Sequence, residues 1–400
     1  MKLKGDDIMF SVVIPSYNRV HTIERAINSV LQQTYQEFEI IVVDDGSKDS
    51  TAEIVSDFSR NDIRVRYVYQ ENQGTQAARN HGLHLACGKY ISFLDSDDEW
   101  LPDFLETTKK KFDEDSSLGC VYCWTGYEDV NGRICLAHED YLEGNIYVEA
   151  LKQGFITGPL SLVIKRTCFD EIGEWDESFK ACQDDDICFR LAKRFRFALI
   201  PKILAVAHTS YDGCEERISA SPNRVANAWW QLWHKYEADV VEYCGKRAIA
   251  KHYLECANRF EQAGNQSMRN EAYSYALYFY DYNALLQDFL VNISQQTIYC
   301  YGAGTYAEEI GGILLKTGIS IKAFFVSDGN TKADELLGIP VLYISDLPKA
   351  GSFIVLLATT KKYHKELKTI LQEHLINDVY SLDDEVFLVM KMNLLCRQGR

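Results

Sequence analysis

Two short stretches crowd carboxylates where a chain ordinarily spaces them. In "KYISFLDSDDEW", Lys89 to Trp100, an apolar run ends in Asp95, Ser96, Asp97, Asp98 and Glu99. In "CQDDDICFRLA" the residues Asp184, Asp185 and Asp186 are consecutive. Crowded carboxylates repel one another, so such a cluster needs a cation, wide solvation or a reaction to serve. Their oxygens are hard donors, suited to Mg2+ or Mn2+ and not selective for zinc. If the segment is extended, alternation puts Asp95 and Asp97 on one side. The pair could then hold a divalent ion, directly or through water, and leave its other positions to diphosphate oxygens. The blander alternative is a solvated loop in which Asp98 or Asp103 only caps the next helix.

The flanking segments supply a scaffold for such a site. "FSVVIPSY", "FEIIVVDDGS", "IRVRYVYQ" and "KYISFLD" read as strands, separated by helical spacing in "RVHTIERAINSVLQQ", "DSTAEIVSDFSR" and "GTQAARNHGLHLACG". Short βαβ units of this kind predict a parallel sheet with helices on both faces. Ligands of such sheets bind at the carboxyl ends of the strands. Those ends carry Pro15, Tyr17 and Asn18, then Asp44 and Asp45, then Asp95 to Asp98, with Arg79 and Asn80 on the helix that follows strand three. Next come a helix with Pro102 in its first turn and a hairpin at Asn131–Gly132.

Taken together, "SVVIPSYNR", "SVLQQTYQEFEIIVVDDGSKDST", "NQGTQAARNHGLHLACGKYISFLDSDDEWLPDFLE" and "CQDDDICFRLA" resemble the inverting family 2 glycosyltransferases of the GT-A fold over about residues 9–210. The resemblance implies that Pro15 and Tyr17 line a base pocket, with Asn18 and Ser96 beside the nucleotide-sugar. Asp45 would accept the N3–H of uracil or thymine, with Asp44 as its neighbour, and Arg79 would reach the base or diphosphate. Asp95 would hold the ribose or a metal-bound water, and Asp97 the metal. His208 matches a position that can touch the metal or diphosphate. Trp100, Gly158 and Pro159 would shape the acceptor side, although core packing explains them as well.

The third block departs from the family pattern. Gln183 stands where Glu is common, and Asp185 replaces the usual aromatic residue. Asp184 matches the position of the catalytic base, and Asp185 is the alternative. Helical spacing puts Asp184 and Asp186 on different faces and lets Asp186 pair with Arg190. The implied reaction is a metal-dependent inverting transfer, with Mn2+ or Mg2+, from a UDP- or dTDP-sugar to an acceptor hydroxyl. The sugar would be a hexose or N-acetylhexosamine, and the acceptor a saccharide or lipid-linked saccharide of cell-surface polysaccharide or lipid-linked oligosaccharide synthesis.

Downstream, residues 214–293 are helical and aromatic, and a second α/β alternation fills 294–400. The organisation expected is a GT-A domain over 1–213, a helical linker or interface over 214–293 and a Rossmann-like domain over 294–400. In "YCYGAGTYAEEIGGIL", Gly302-x-Gly304-x-x-Ala307 follows a strand and opens a helix, and Asp328 ends the next strand. That pattern fits NAD or nucleotide-sugar binding. It equally fits a strand–helix turn that binds nothing, and no Tyr-x-x-x-Lys follows it.

The totals set the outer limits. Across 400 residues with 46% hydrophobic and 25% charged content, a soluble multidomain chain is expected. A net charge of −16 opposes nucleic-acid binding, which needs a basic face. The N-terminal residues show no apolar signal core, and the 12 cysteines read as reduced and mostly buried, Cys120 and Cys123 included. A cytoplasmic protein follows. Trp229, Trp230 and Trp233 read as buried core between two α/β domains, with a surface resting on the inner face of the plasma membrane or a self-association surface as the alternatives. Two rival classes stay open: a non-catalytic nucleotide-sugar-binding protein on the same fold, which binds donor without turnover, and a protein whose C-terminal domain binds NAD or a nucleotide-sugar.

Overall fold

The apolar runs that end in acidic residues are strands buried along their whole length. β1 (Phe10–Ser16) and β2 (Phe38–Asp44) have no exposed position, as expected of parallel strands covered on both faces. The computed structural model describes residues 8–128, 132–137, 142–154, 156–208, 221–293, 296–330, 333–348, 353–359, 363–374, 376, 378–381 and 384–398. The chain divides into two compact units, Met1–Cys244 and Gly245–Arg400.

In the first unit β1 is followed by α1 (Ile23–Leu31), β2, α2 (Thr51–Asn61), β3 (Val65–Tyr69), α3 (Thr75–Leu85), β4 (Tyr90–Phe93) and β5 (Glu99–Trp100). Then come α4 (Phe104–Glu114), β6 (Leu118–Glu128), β7 (Ile134–Leu136), α5 (Tyr147–Gln153), β8 (Leu162–Lys165), α6 (Thr167–Ile172), α7 (Gln183–Ala192), β9 (Arg196–Ala207) and α8 (Pro222–Cys244). The sheet runs β3-β2-β1-β4-β8-β6-β9-β5, with β7 paired to β6 alone. Strands β3, β2, β1 and β4 are parallel, while β8 is antiparallel to both its neighbours. From β1 the chain moves outward to β2 and β3 on one side and returns to β4 on the other. That reversal opens a crevice at the carboxyl ends. The hairpin β6–β7 forms as expected, although Asn131 lies outside the described residues. Pro102 precedes α4 and does not sit within its first turn, because Asp103 is the N-cap.

Helix α3 reaches the sheet through a glycine. A Cβ on Gly82 would lie 2.3 Å from Val13 Cγ1 of β1, so no side chain fits unless Val13 or the helix moves. Gly82→Ala is therefore expected to destabilise the protein by about 1–3 kcal/mol, read as a lower urea midpoint. An unchanged midpoint would mean that α3 has slack.

The second unit contains α9 (Lys246–Gln262), α10 (Gln266–Phe279), α11 (Tyr282–Ile293), β10 (Thr297–Tyr301), α12 (Thr305–Lys316), β11 (Ile321–Val326), β12 (Glu335–Leu336) and β13 (Ile339–Tyr343). It ends with β14 (Phe353–Leu357), α13 (His364–Glu373), β15 (Val379–Ser381) and α14 (Asp384–Gln398). Its sheet order is β12-β13-β11-β10-β14-β15, parallel except between β12 and β13. Successive strand residues alternate between two apolar clusters, Ile298, Cys300 and Phe324 in one and Tyr299, Tyr301 and Phe325 in the other. Both faces are thus covered.

The helical stretch 214–293, read as a single segment, is divided. Helix α8 belongs to the first unit and α9–α11 to the second. Among the described residues no helix is long and apolar enough to cross a membrane.

Candidate active site

The crevice of the first unit holds a cavity of about 540 Å³, within the usual range for small-molecule sites. Its walls are Pro15, Ser16, Tyr17 and Arg19 after β1, Asp45 after β2, Thr75, Ala78 and Arg79 of α3, Asp95 to Asp98 after β4, and Ala181 to Asp185 at the start of α7. Ala207 and Val225 complete them. The Pro15–Tyr17, Asp45–Arg79, Asp95–Asp98 and Asp184–Asp185 groups, far apart in sequence, meet here.

On the β1–β2 side the carboxylates are already at work. Asp45 accepts hydrogen bonds from Gln70 Nε2 (2.8 Å), the Gln73 N–H (2.9 Å) and the Gly74 N–H (2.8 Å). It thereby fastens the loop into α3, and of roughly four acceptor positions on a carboxylate one is left for a ligand. Asp44 accepts from the Ser47 N–H and the Tyr67 hydroxyl, both at 2.8 Å, and does not line the cavity. Asn18 adopts left-handed backbone, φ +52°, and its Oδ1 accepts from the Lys48 N–H at 2.9 Å. Asp44 and Asn18 therefore shape the two loops, whereas Pro15 and Tyr17 face the space between them.

The acidic segment is a turn, not the extended strand end that alternation assumed. The Asp98 N–H donates to the Asp95 carbonyl at 3.0 Å, and this i to i+3 closure brings Asp95 and Asp97 to the cavity together. Two clamps hold the turn. Arg25 donates to the Asp97 carbonyl, and the His208 N–H donates to Asp98 Oδ1 at 3.0 Å. The His208 ring stands between carboxylates, Nε2 3.0 Å from Glu99 Oε1 and Nδ1 3.2 Å from Glu128 Oε2. Both its nitrogens are engaged, and it is not part of the cavity wall. Among the described residues no group of three His, Cys, Asp or Glu side chains could hold a metal. Two hard carboxylates at a cavity nevertheless fit the way Mg2+ or Mn2+ is bound together with substrate phosphates, where one or two protein oxygens suffice.

Across the cavity, the three consecutive aspartates open α7, where the helix dipole favours negative charge. They do not share one environment. Asp186 is buried, accepts from Arg190 Nε (3.0 Å), Arg190 Nη2 (2.8 Å) and the Tyr236 hydroxyl (2.9 Å), and pairs with Lys235 Nζ at 2.6 Å. This bears out the expected Asp186–Arg190 pair and points Asp186 away from the cavity, onto α8. Asp185 and Asp184 line the cavity. Asp184 Oδ1 has no hydrogen-bond partner among the described residues. Its carboxyl is pushed up to about 6, chiefly by burial. The Arg79 guanidinium opposes that rise and the Asp95 charge adds to it.

Arg79 is the link between the two acidic groups. Its side chain is 2% exposed, with Nη2 2.8 Å from Asp95 Oδ1 and Nη1 3.8 Å from Asp184 Oδ1. The guanidinium lies over the Trp175 ring, 4.6 Å from its centroid. Trp175 is held in turn by Asn80, which donates to its carbonyl at 3.0 Å and accepts its N–H at 2.9 Å. Gln76 reaches the Phe179 carbonyl at 2.9 Å, so α3 carries the segment that delivers α7. Sequence reasoning missed Trp175, Gln76, Val225 and the α8 pair Lys235 and Tyr236. Only the buried, polar inner face of α3 could have signalled the first two. Trp100 is a core residue, its indole N–H donating to the Leu160 carbonyl at 2.7 Å.

In the second unit, Gly302 and Gly304 form the turn from β10 into α12. A Cβ on Gly302 would lie 2.7 Å from the Ala358 carbonyl, and its φ is +121°. Ala307 is buried, and the Asp328 carboxylate accepts from the Ser345 hydroxyl at 2.8 Å. Each of these residues has a local structural task.

Residues 11–169 match the profile of glycosyl transferase family 2. An uncharacterized glycosyltransferase of Rickettsia felis is 40% identical over 162 residues, 40% of this chain and 24% of that protein. The putative teichuronic acid biosynthesis glycosyltransferase TuaG of Bacillus subtilis is 42% identical over 120 residues, 30% of this chain and 46% of that one. The chain thus spans about a quarter of the Rickettsia relative's length. Among solved structures, S. aureus TarS 1-349 in complex with UDP-GlcNAc aligns with TM-score 0.45 and 22% identity, over 70% of this chain and 76% of that one. The mannosyltransferase PcManGT of Pyrobaculum calidifontis, in complex with GDP-Man and Mn2+, aligns with TM-score 0.47 and 20% identity, over 71% and 79%. TM-scores this low bear on no ligand of the present chain. The sequence match coincides with the strands and the acidic turn that build the cavity, and residues 11–169 are similar to glycosyl transferase family 2.

Proposed function

We propose that the first unit transfers a sugar from a UDP- or dTDP-sugar to an acceptor hydroxyl by single displacement with inversion, Asp184 acting as the base. The acceptor class is a saccharide or lipid-linked saccharide of cell-surface polysaccharide synthesis. One observation carries this reading. A single cavity joins an acidic turn at the strand ends to a carboxyl, Asp184, that sits near 6 with one oxygen unclaimed. A base poised near the working pH both accepts a proton readily and is mostly ionised.

The chain's own residues have these parts. Pro15 and Tyr17 receive the base of the nucleotide, and the open position on Asp45 accepts its imide N–H. Ser96 and Asp95 face the ribose and diphosphate. Asp97, with Asp95, would hold Mg2+ or Mn2+, whose positive charge would favour departure of the diphosphate. Asp184 takes the proton of the acceptor hydroxyl, which attacks the anomeric carbon from the face opposite the leaving group. An α-linked donor then gives a β-linked product.

The test is nucleotide release by purified protein with Mn2+ across a panel of UDP- and dTDP-sugars, with and without saccharide acceptors. Release from one donor is expected, and Asp97→Ala is expected to remove its metal dependence and lower it about 10²-fold or more. Donor binding without release across the whole panel would instead mark a non-catalytic binding protein.

A further inference from the structure

Arg79 Nε and Nη1 are buried and have no hydrogen-bond partner among the described residues, and the same holds for Asp184 Oδ1. The unsatisfied donor Nη1 and the unsatisfied acceptor Oδ1 stand 3.8 Å apart. A hydrogen bond needs an approach of about 1 Å more. Two contacts hold the guanidinium where it is: Nη2 is bound to Asp95 at 2.8 Å, and the Trp175 ring lies beneath it. Other charges around Asp184 cannot fill the gap. Asp186 is committed to Arg190 and Lys235, Asp185 is acidic, and Cys188 one turn on is a buried thiol.

We propose that Arg79 is a positioning residue that couples the two halves of the site: when the bound donor engages Asp95, the guanidinium closes onto Asp184 and sets the base in its ionised form. The base is thereby armed only after the donor is in place. This rests on the nucleotide-sugar reading above.

Calorimetry with UDP and Mn2+ at pH 6, in two buffers of different ionisation enthalpy, tests it by counting protons released on binding. Because Asp184 sits at about 6, the wild type is expected to release about half a proton per molecule more than Asp184→Asn does. The phosphate of UDP titrates equally in both and cancels. Arg79→Lys, which keeps the charge but not the planar fork, is expected to lose most of that difference. Equal release by wild type and Asp184→Asn while both bind UDP overturns the coupling alone. Undiminished release by Arg79→Lys moves the coupling to another group and overturns the role of Arg79. Failure of wild type to bind UDP removes the donor reading itself. Should Arg79→Lys fold poorly, Arg79→Gln takes its place in the same comparison, and undiminished release by that variant likewise overturns the role of Arg79.

Discussion

Asp184→Asn is expected to lower sugar transfer by about 10²–10⁴-fold, with UDP affinity held within about threefold of wild type. The substitution keeps the shape and removes the proton acceptor, so the loss falls on the chemical step. Asp185→Asn, on the neighbouring position of the helix, should cost less than about tenfold. If the two results are exchanged, the base lies one residue further on. The pH dependence carries a sign that can be checked separately. Burial raises the Asp184 carboxyl to about 6 from an ordinary value of 3.8, so kcat/KM for the donor, which reports the free enzyme, should rise with pH and level off above that point. Stability runs the other way. A group raised in the folded state stabilises it below its unfolded value, and that contribution disappears as pH climbs through 6. Asp184→Asn should therefore be more stable than wild type at pH 8, by on the order of 1–2 kcal/mol, and the gap should close below pH 4. A variant that is less stable at every pH would show that the carboxylate is not strained by burial.

The second large effect concerns stability and lies two residues away. Asp186 is 1% exposed and answers Arg190, Lys235 and the Tyr236 hydroxyl. Asp186→Ala strands Arg190, which is 19% exposed, whereas Lys235, 35% exposed, keeps its pair with Asp176 at 2.9 Å. Destabilisation of about 2–3 kcal/mol is expected in urea or thermal unfolding. Activity should fall as well, because α7 loses the anchor that fixes its first turn. A drop of less than about 0.5 kcal/mol would mean that solvent replaces the network.

The parallel sheet and its carboxyl-end cavity were legible because fully apolar strands and helical spacing leave strong periodic signals. Pro15, Tyr17, Arg79, Asp95 and Asp97 could be listed as neighbours before any coordinates, since the topology alone gathers strand ends. The finer roles were not legible. Asp44 and Asp45 look alike in sequence, yet one closes its own loop and the other receives the loop of α3. The three aspartates of α7 are separated only by what packs around them, and α8, which claims Asp186, follows a stretch with no periodic tie to α7. The acidic segment reads as extended only when alternation is carried past Phe93, where β4 ends, as far as Asp97. Its i to i+3 bond depends on Arg25 and His208, which are 72 and 110 residues away from the groups they hold. The division of the helical stretch between two units likewise depends on tertiary partners and not on composition.

The anchoring of α7 by α8 also bears on how such a chain can be recombined. The family segment ends at residue 169, whereas Lys235, which pairs with Asp186, and Tyr236, whose hydroxyl donates to it, sit well beyond it. A graft cut at the last strand of the sheet would carry Asp186 and Arg190 and leave these two partners behind. The segment to move intact is therefore the first unit, residues 1–244, and a chimera has a natural seam after Cys244, where the second unit begins.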